Sequence, residues 1–149
     1  MRLILAHIGS RPAASDEFHR LVLRYVKRTD AYYSCETSSF SSEAALLEWI
    51  DRRSARTSPL AVLLDSRGRP MTSEGFASWI GSRRDQGARE ILFAVGPASG
   101  WSDAARSRAQ LLLSLGPLTL AHALARLVLA EQLYRACTIL AGHPYHCGH

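Results

Sequence analysis

Lysine is almost absent from this sequence: Lys27 is the only lysine among 18 basic residues, and the others are arginines. Cysteine is scarce too, with three widely spaced residues. An odd, scattered set gives no sign of a disulfide framework and favours a reducing compartment. No apolar run approaches the roughly 20 residues that a membrane-spanning helix needs, and no secretory leader is recognisable. We therefore expect a cytoplasmic protein without a membrane segment.

Length and charge narrow the class of protein further. A chain of 149 residues with 47% hydrophobic and 21% charged residues is typical of one globular domain, so we expect residues 1–149 to form a single domain. The net charge is +5 and is carried by arginine, whose planar guanidinium suits phosphate groups. A GC-rich genome also favours arginine. The charge permits a nucleic-acid partner without identifying one.

Short apolar runs alternate with helical patterns along the chain. The predicted strands are "RLILAHI", "AYYSCET", "LAVLLD" and "REILFAV". The predicted helices are "DEFHRLVLRYVKR", "EAALLEWIDRR", "TSEGFASWIGSRR", "SDAARSRAQLLL" and "HALARLVLAEQLYRACTIL", the first four preceded or opened by Ser, Thr or Asp caps. "SRGRP" indicates a turn and "ETSSFSSE" a surface loop. This alternation predicts an α/β fold with a mainly parallel sheet and helices on both faces.

Ligands of open parallel sheets collect at the carboxyl ends of the strands, here after Leu64, Val95 and Leu115. In "AVGPASGWS", Gly96 and Gly100 follow a strand, which indicates either a ligand loop or an ordinary turn. "SLGPLTLAH" is apolar but interrupted by glycine and proline. We expect this irregular backbone to be buried and to offer its polar groups to a flat heterocycle such as adenine, the alternative being an ordinary strand before a helix.

The helix predicted from His122 to Leu140 is apolar nearly all round, which favours packing against a second subunit. Its charges are Arg126, Glu131 and Arg135. Glu131 and Arg135 stand four residues apart and are expected to pair. Arg126 is then free to contact a substrate phosphate.

The chain ends in "GHPYHCGH", with His143, His146, Cys147 and His149 close together. A structural zinc site needs about four ligands, usually as two spaced pairs. Only one such pair exists here, so we expect no metal site. Pro144 and Tyr145 are ordering residues, and they suggest that this tail rests on another surface.

The stretches "LLDSRGRPMTSEGFA", "ILFAVGPASGWS" and above all "SLGPLTLAHALARLVLAEQLYRACTILAGHPYH" resemble the rRNA large subunit methyltransferase H family of the SPOUT superfamily. The resemblance covers essentially the whole chain. It implies a SPOUT-type α/β fold with a C-terminal deep trefoil knot, a homodimer, and S-adenosylmethionine as methyl donor. It also implies N3 methylation of a pseudouridine in helix 69 of 23S rRNA, within the assembled 70S ribosome.

The same resemblance implies which residues form the site. The residues implied in cofactor binding are Leu64, Gly96, Pro117, Leu118, Thr119, Leu120, Ala121 and His122. The tail residues His143, Tyr145 and His146 are implied near the methyl group, with His146 the first candidate for a base; packing at a dimer edge is the alternative for the two histidines. The alternative function is an inactive, basic ribosome-binding module of the same fold.

Overall fold

Strands and helices alternate along the computed structural model, which describes residues 1–54, 57 and 59–147, without the side chain of Ser54. The elements are β1 (Arg2–Ile8), α1 (Glu17–Asp30), β2 (Ser34–Phe40), α2 (Glu43–Ser54), β3 (Leu60–Pro70), α3 (Ser73–Asp85), β4 (Glu90–Val95), α4 (Asp103–Arg108), β5 (Leu111–Ser114), α5 (His122–Leu140) and a 3₁₀ helix (Pro144–His146).

All the strand pairs are parallel, and the sheet order is β2-β1-β4-β3-β5. Side chains alternate between the two faces, as the pleat requires. On β4, Ile91 and Phe93 pack with α1, α3 and α5, whereas Leu92 and Ala94 pack with α2 and α4. The predicted α/β class, with a parallel sheet and helices on both faces, is confirmed.

Helix starts follow the predicted cap chemistry. The Thr72 hydroxyl accepts a hydrogen bond from the Gly75 amide at 3.0 Å, and the Ser42 hydroxyl accepts one from Ala45 at 3.1 Å. The Ser102 hydroxyl caps α4 by accepting from the Ala105 amide at 3.2 Å. Each side chain satisfies an amide that has no partner inside its helix.

The serine-rich stretch "ETSSFSSE" is wrongly predicted as a surface loop. Residues Glu36 to Phe40 continue β2, in register with Ile4 to Ile8 of β1. The buried Phe40 ring packs against Trp49 of α2 with 5.9 Å between ring centroids. Because β2 is an edge strand, its polar side chains can face water while its backbone pairs with β1.

The turn predicted at "SRGRP" and the helix predicted through "AQLLL" are also wrong. β3 runs on to Pro70 across a bulge between Leu64 and Arg69. Its new neighbour is β5, so the fourth helix ends at Arg108 instead of continuing into the leucines. A Cβ on Gly68 would lie 2.6 Å from the Leu112 carbonyl oxygen, so only glycine allows this close strand contact.

The long helix α5 has the predicted bounds, His122–Leu140, but it is not covered all round. Its Leu129, Leu133 and Cys137 are buried, whereas Leu124 is 41% exposed. Three further large apolar side chains are exposed on α1, which packs beside α5: Phe18, Leu21 and Leu23. Of the helices that the structure describes, none combines the length and apolar character needed to cross a membrane.

Candidate active site

A cavity of about 530 Å³ opens at the carboxyl ends of β4 and β5, beside the bulge of β3 that follows Leu64. Two loops wall it: residues 96–101 after β4, and residues 115–121 before α5. Seven of the eight residues predicted to bind a cofactor line it, namely Leu64, Gly96, Pro117, Leu118, Thr119, Leu120 and His122. Ala121 does not line it; its carbonyl oxygen accepts the first hydrogen bond of α5, from Ala125 at 2.9 Å.

Trp101 forms the floor of this cavity. Its ring is buried and its Nε1 donates a hydrogen bond to the Leu64 carbonyl oxygen at 2.8 Å. A Cβ on Gly96 would lie 2.7 Å from Cε2 of that ring. The glycine therefore lets the backbone of the β4 loop lie flat against the indole.

An ion pair borders the cavity beside Trp101. The buried Asp65 carboxylate accepts from Arg106 Nε at 2.6 Å and from the Arg67 amide at 2.9 Å. These bonds hold the pKa of Asp65 below its usual value although burial opposes them. The pair fixes the bulge of β3 against the start of α4, and with it the shape of the cavity.

His122 occupies the first turn of α5. Its Nε2 is buried without a hydrogen-bond partner, and burial together with Arg126 lowers the pKa of the ring. The ring meets His7 edge-on, with 5.8 Å between the centroids. An unsatisfied buried nitrogen at a cavity wall is a feature that a polar ligand would relieve.

The loop of residues 115–121 is not buried as predicted. Pro117, Leu118 and Thr119 are exposed, and Leu118 reaches 80% exposure. Gly116 adopts a φ of +115°, and a Cβ there would meet no atom within 4 Å. The loop has the cavity on one side, and no other part of the described chain covers its outer side.

Arg126, which was predicted to contact a substrate phosphate, lies in a buried position of α5. It is only 6% exposed and lines a second, polar cavity of about 440 Å³. Its Nη2 lies 3.4 Å from His19 Nδ1. The neighbouring Glu131 and Arg135 do form the predicted ion pair, at 2.7 Å.

The tail folds back onto α5 of its own chain. The Tyr145 ring packs edge-on against Tyr134 at 4.7 Å, and its hydroxyl donates to Glu131 Oε1 at 3.0 Å. Burial and Glu131 raise the pKa of Tyr145 to about 12. His143 is exposed, and its Nδ1 accepts from the Tyr145 amide at 3.1 Å.

Both ring nitrogens of His146 are engaged. Nδ1 lies 3.0 Å from Arg135 Nη1, and Nε2 lies 2.7 Å from Glu74 Oε1. A guanidinium only donates, so Nδ1 is the acceptor and Nε2 carries the proton that is donated to Glu74. His146 therefore has a lone pair for a substrate proton only once Arg135 leaves Nδ1.

The tail packs on the middle and the end of α5, whereas the candidate cofactor cavity lies at the start of that helix. Tyr145 bonds to Glu131, which lies nine residues, or about 14 Å at 1.5 Å per residue, along the helix from His122. The predicted catalytic residues and the predicted cofactor residues are therefore not brought together within one chain.

A metal is not favoured by the part of the tail that the structure describes. Among residues 1–54, 57 and 59–147, no group of three His, Cys, Asp or Glu side chains is placed to hold an ion. His149 lies outside the described residues.

Sequence reasoning missed several residues of the two cavities. Trp101, Asp65 and Arg106 line the first, and His7 and His19 the second. A signal existed for two of them: Asp65 ends an apolar strand, and Trp101 directly follows the glycine loop. No local pattern links Asp65 to Arg106, because 41 residues separate them.

Comparison with known proteins identifies the fold and the family. The model of the family described as "Predicted SPOUT methyltransferase" matches residues 1–146. Two solved structures share the fold. The SpoU methyltransferase AviRb from Streptomyces viridochromogenes, solved with AdoMet, matches with a TM-score of 0.50 and 14% identity over 96% of this chain and 58% of that one. A probable methylase family protein from Haemophilus influenzae matches with a TM-score of 0.55 and 11% identity over 97% of this chain and 69% of that one.

Closer relatives carry one common name. The ribosomal RNA large subunit methyltransferase H of Koribacter versatilis is 44% identical over the full length of both chains. The protein of that name from Brucella ovis is 55% identical over 85 residues, which are 57% of this chain and 50% of that one. The chain is a SPOUT methyltransferase and belongs to the ribosomal RNA large subunit methyltransferase H family.

Proposed function

We propose that this protein methylates 23S rRNA with S-adenosylmethionine, at N3 of a pseudouridine in helix 69 of the assembled 70S ribosome. The observation that carries the proposal is the 530 Å³ cavity, which is lined by seven of the eight predicted cofactor residues where β4 and β5 end beside the bulge of β3. The relatives' name, ribosomal RNA large subunit methyltransferase H, supports rRNA as the substrate.

The residues that line the cavity suit S-adenosylmethionine. A volume of 530 Å³ lies within the range of roughly 300–1,000 Å³ that is usual for small-molecule sites. Gly116 has no atom within 4 Å of the place where a Cβ would stand, so its backbone can lie close to a flat ligand, and Leu118 and Leu120 offer apolar surface to it. The unpartnered Nε2 of His122 offers a polar contact. When bound, S-adenosylmethionine supplies a methyl group on a positively charged sulfur.

The tail supplies the substrate side of the proposed site. In the described chain, Tyr145 and His146 bond to Glu131, Arg135 and Glu74, which do not line the cavity of the same chain. We therefore propose a homodimer in which His143, Tyr145 and His146 approach the cavity of the second copy. The exposed apolar side chains of α1 and α5 support such an interface. The trefoil knot at the loop before α5 belongs to the same proposal.

In this arrangement the chain orients the base and removes one proton. The N3–H of pseudouridine must lose its proton as the nitrogen takes the methyl group. His146 takes that proton at Nδ1 after Arg135 has moved to the RNA, and Glu74 holds the opposite nitrogen in place. Tyr145, locked between Tyr134 and Glu131, positions the target base. Holding the reactants in line contributes more to the rate than the base does.

The test is methyl transfer from radiolabelled S-adenosylmethionine to ribosomes that lack this modification, with calorimetry of cofactor binding beside it. We expect binding and stoichiometric labelling of 23S rRNA. Label in another nucleotide would correct the target while leaving the enzyme class intact. Ribosome binding without cofactor binding would support the inactive module instead.

A further inference from the structure

The second cavity, of about 440 Å³, is built around a buried charge that forms no salt bridge within the described part of the chain. Arg126 of α5 is 94% buried, as its 6% exposure shows, and no carboxylate lines this cavity in the described part of the chain. Asp16 is the carboxylate whose charge raises the pKa of Arg126, but it is an exposed residue that caps α1 by accepting from the His19 amide at 2.9 Å. Desolvation lowers the pKa of Arg126, yet a guanidinium stays charged at neutral pH.

Every other polar side chain that lines this cavity can donate a hydrogen bond. Arg11 also lines it, and Thr37 and Ser39 of β2 place their hydroxyls on the face of the sheet that His7 shares, because they pair in register with Leu5 and His7. The Ser38 side chain lies on the opposite face. Arg126 donates toward His19 Nδ1 at 3.4 Å, which leaves the proton of His19 on Nε2 and free to be donated. The lining therefore contains two guanidiniums, two hydroxyls and an imidazole N–H.

The cavity lies beside the proposed cofactor site. His7 lines it, and the His7 ring contacts His122, which lines the first cavity. His7 Nε2 donates to the Ser10 carbonyl oxygen at 3.0 Å, so this ring separates the two spaces as a neutral group. Burial, followed by the charge of Arg126, lowers the pKa of His7 and keeps it neutral.

We propose that this cavity binds a phosphodiester group of the RNA substrate, next to the nucleotide that is methylated. The proposal rests on the proposed function. It extends the expectation that Arg126 contacts a substrate phosphate to a phosphate site that Arg11 and His19 also line. An unpaired buried charge costs stability, so its retention points to a ligand that supplies the missing anion. Arginine with hydroxyl donors is the combination that recognises phosphate oxygens.

The size and the donor count favour a nucleotide over a carboxylate side chain from a second copy. A volume of 440 Å³ equals roughly 15 water molecules at about 30 Å³ each, which is room for a phosphate and part of its sugar. A single carboxylate would leave several of these donors without an acceptor, whereas a phosphodiester adds ester and ribose oxygens.

The experiment compares the full-length protein with Arg126→Met, Arg126→Lys and the control Arg52→Met. Arg52 is exposed on α2, on the opposite face of the sheet, where it pairs with Glu48. Three properties are measured: binding to a helix 69 hairpin RNA across a salt series, kcat and KM for ribosomes, and calorimetric binding of S-adenosylmethionine. Sedimentation and thermal melting check assembly and folding.

We expect Arg126→Met to weaken RNA binding about tenfold or more and to reduce the slope of log affinity against log salt by about 1, as the loss of one phosphate contact predicts. KM should rise more than kcat falls, and cofactor affinity should stay the same. Arg126→Lys should keep the slope but bind RNA less tightly, because it loses the planar fork. Arg52→Met should match the unaltered protein.

Four results would overturn the inference. The first is an Arg126→Met protein whose RNA affinity and salt slope are unchanged, and the second is an Arg126→Met protein that loses cofactor binding. The third is an Arg126→Met protein that becomes monomeric, which would assign the cavity to a second copy. The fourth is an unaltered protein that binds no RNA. An Arg126-dependent slope in a protein that transfers no methyl group would instead reject only the proposed function.

Discussion

Trp101 Nε1 donates a hydrogen bond to the carbonyl oxygen of Leu64 at 2.8 Å, which joins the loop after β4 to the start of the bulge in β3. The bond spans 37 residues of sequence, and both residues line the proposed cofactor cavity. The position of the indole also explains why residue 96 is a glycine, because the ring occupies the space that a Cβ there would need.

Gly96→Ala should displace the Trp101 ring and distort the cavity. A Cβ at 2.7 Å from Cε2 is closer than packing allows, and overpacking of this kind costs about 1–3 kcal/mol. We expect a lower melting temperature and at least tenfold weaker binding of S-adenosylmethionine by calorimetry. Gly75→Ala is the matched control, since a Cβ there lies 3.2 Å from the Thr72 hydroxyl oxygen, away from the cavity. Equal cofactor affinity in both variants would contradict the role given to Gly96.

Leu118→Trp tests the other wall of the cavity. Leu118 is 80% exposed, so a larger side chain there should leave the fold intact while it blocks the cavity mouth. We expect an unchanged thermal melt and loss of cofactor binding. Cys147→Ser, in the tail, should change neither property. Retained cofactor binding in Leu118→Trp would place the cofactor elsewhere.

The exposed apolar side chains predict a dimer. The protein should sediment at about twice the 16.4 kDa of one chain at micromolar concentration. Leu124→Arg, at a 41% exposed position of α5, should yield folded monomers, whereas Ala104→Arg, on the exposed side of α4, should not. A mass near that of one chain for the unaltered protein would remove the shared active site from the proposed function.

The tail should be required for transfer but not for cofactor binding. Deletion of residues 143–149 should spare dimerisation and binding of S-adenosylmethionine and eliminate methyl transfer to ribosomes. His146→Ala alone should slow transfer by a factor on the order of 10² to 10⁴ if His146 is the base. Glu74→Gln, which keeps a hydrogen-bond acceptor for Nε2, should slow it much less. Stoichiometric zinc whose removal abolishes activity would argue for a metal site instead.

Stability should fall as the solution becomes acidic. The pKa values of three histidines are lowered from 6.5: His7, His19 and His122. Burial is the largest cause in each ring, and the positive charge of Arg126 lowers all three pKa values further. The unfolded chain therefore binds more protons below pH 6.5, and the free energy of unfolding decreases from there down to the lowered values. Urea unfolding at pH 7.5 and 5.5 measures the difference. Arg126→Met should reduce this difference in the free energy of unfolding. An unchanged difference would contradict the effect of Arg126 on the pKa values of the three histidines.

The local sequence pattern predicted the features of the fold that depend on interactions between residues close together in the chain. The apolar runs of β1 and β4, the Thr72 and Ser102 caps and the bounds of α5 were predicted, because side-chain periodicity and cap hydrogen bonds act within a few residues. The ligand loops expected after Val95 and Leu115 do lie at the carboxyl ends of β4 and β5, whereas the strand end expected at Leu64 is instead the start of a bulge within β3.

The tertiary structure decided what depends on distant neighbours. The leucines at 111–113 continue a helical pattern, yet they form β5 because β3 offers them an edge, and the serines of β2 become strand because β1 pairs with them. Arg126 was predicted as a charge of α5 that is free to contact a phosphate, and the structure adds that α1, β1 and β2 enclose it in a cavity with no carboxylate among the described lining residues. Sequence alone determined which chemical groups the chain carries and which elements they sit on. Only packing between elements decided which of those groups lose their water and face one another, because burial is a property of the neighbours and not of the residue.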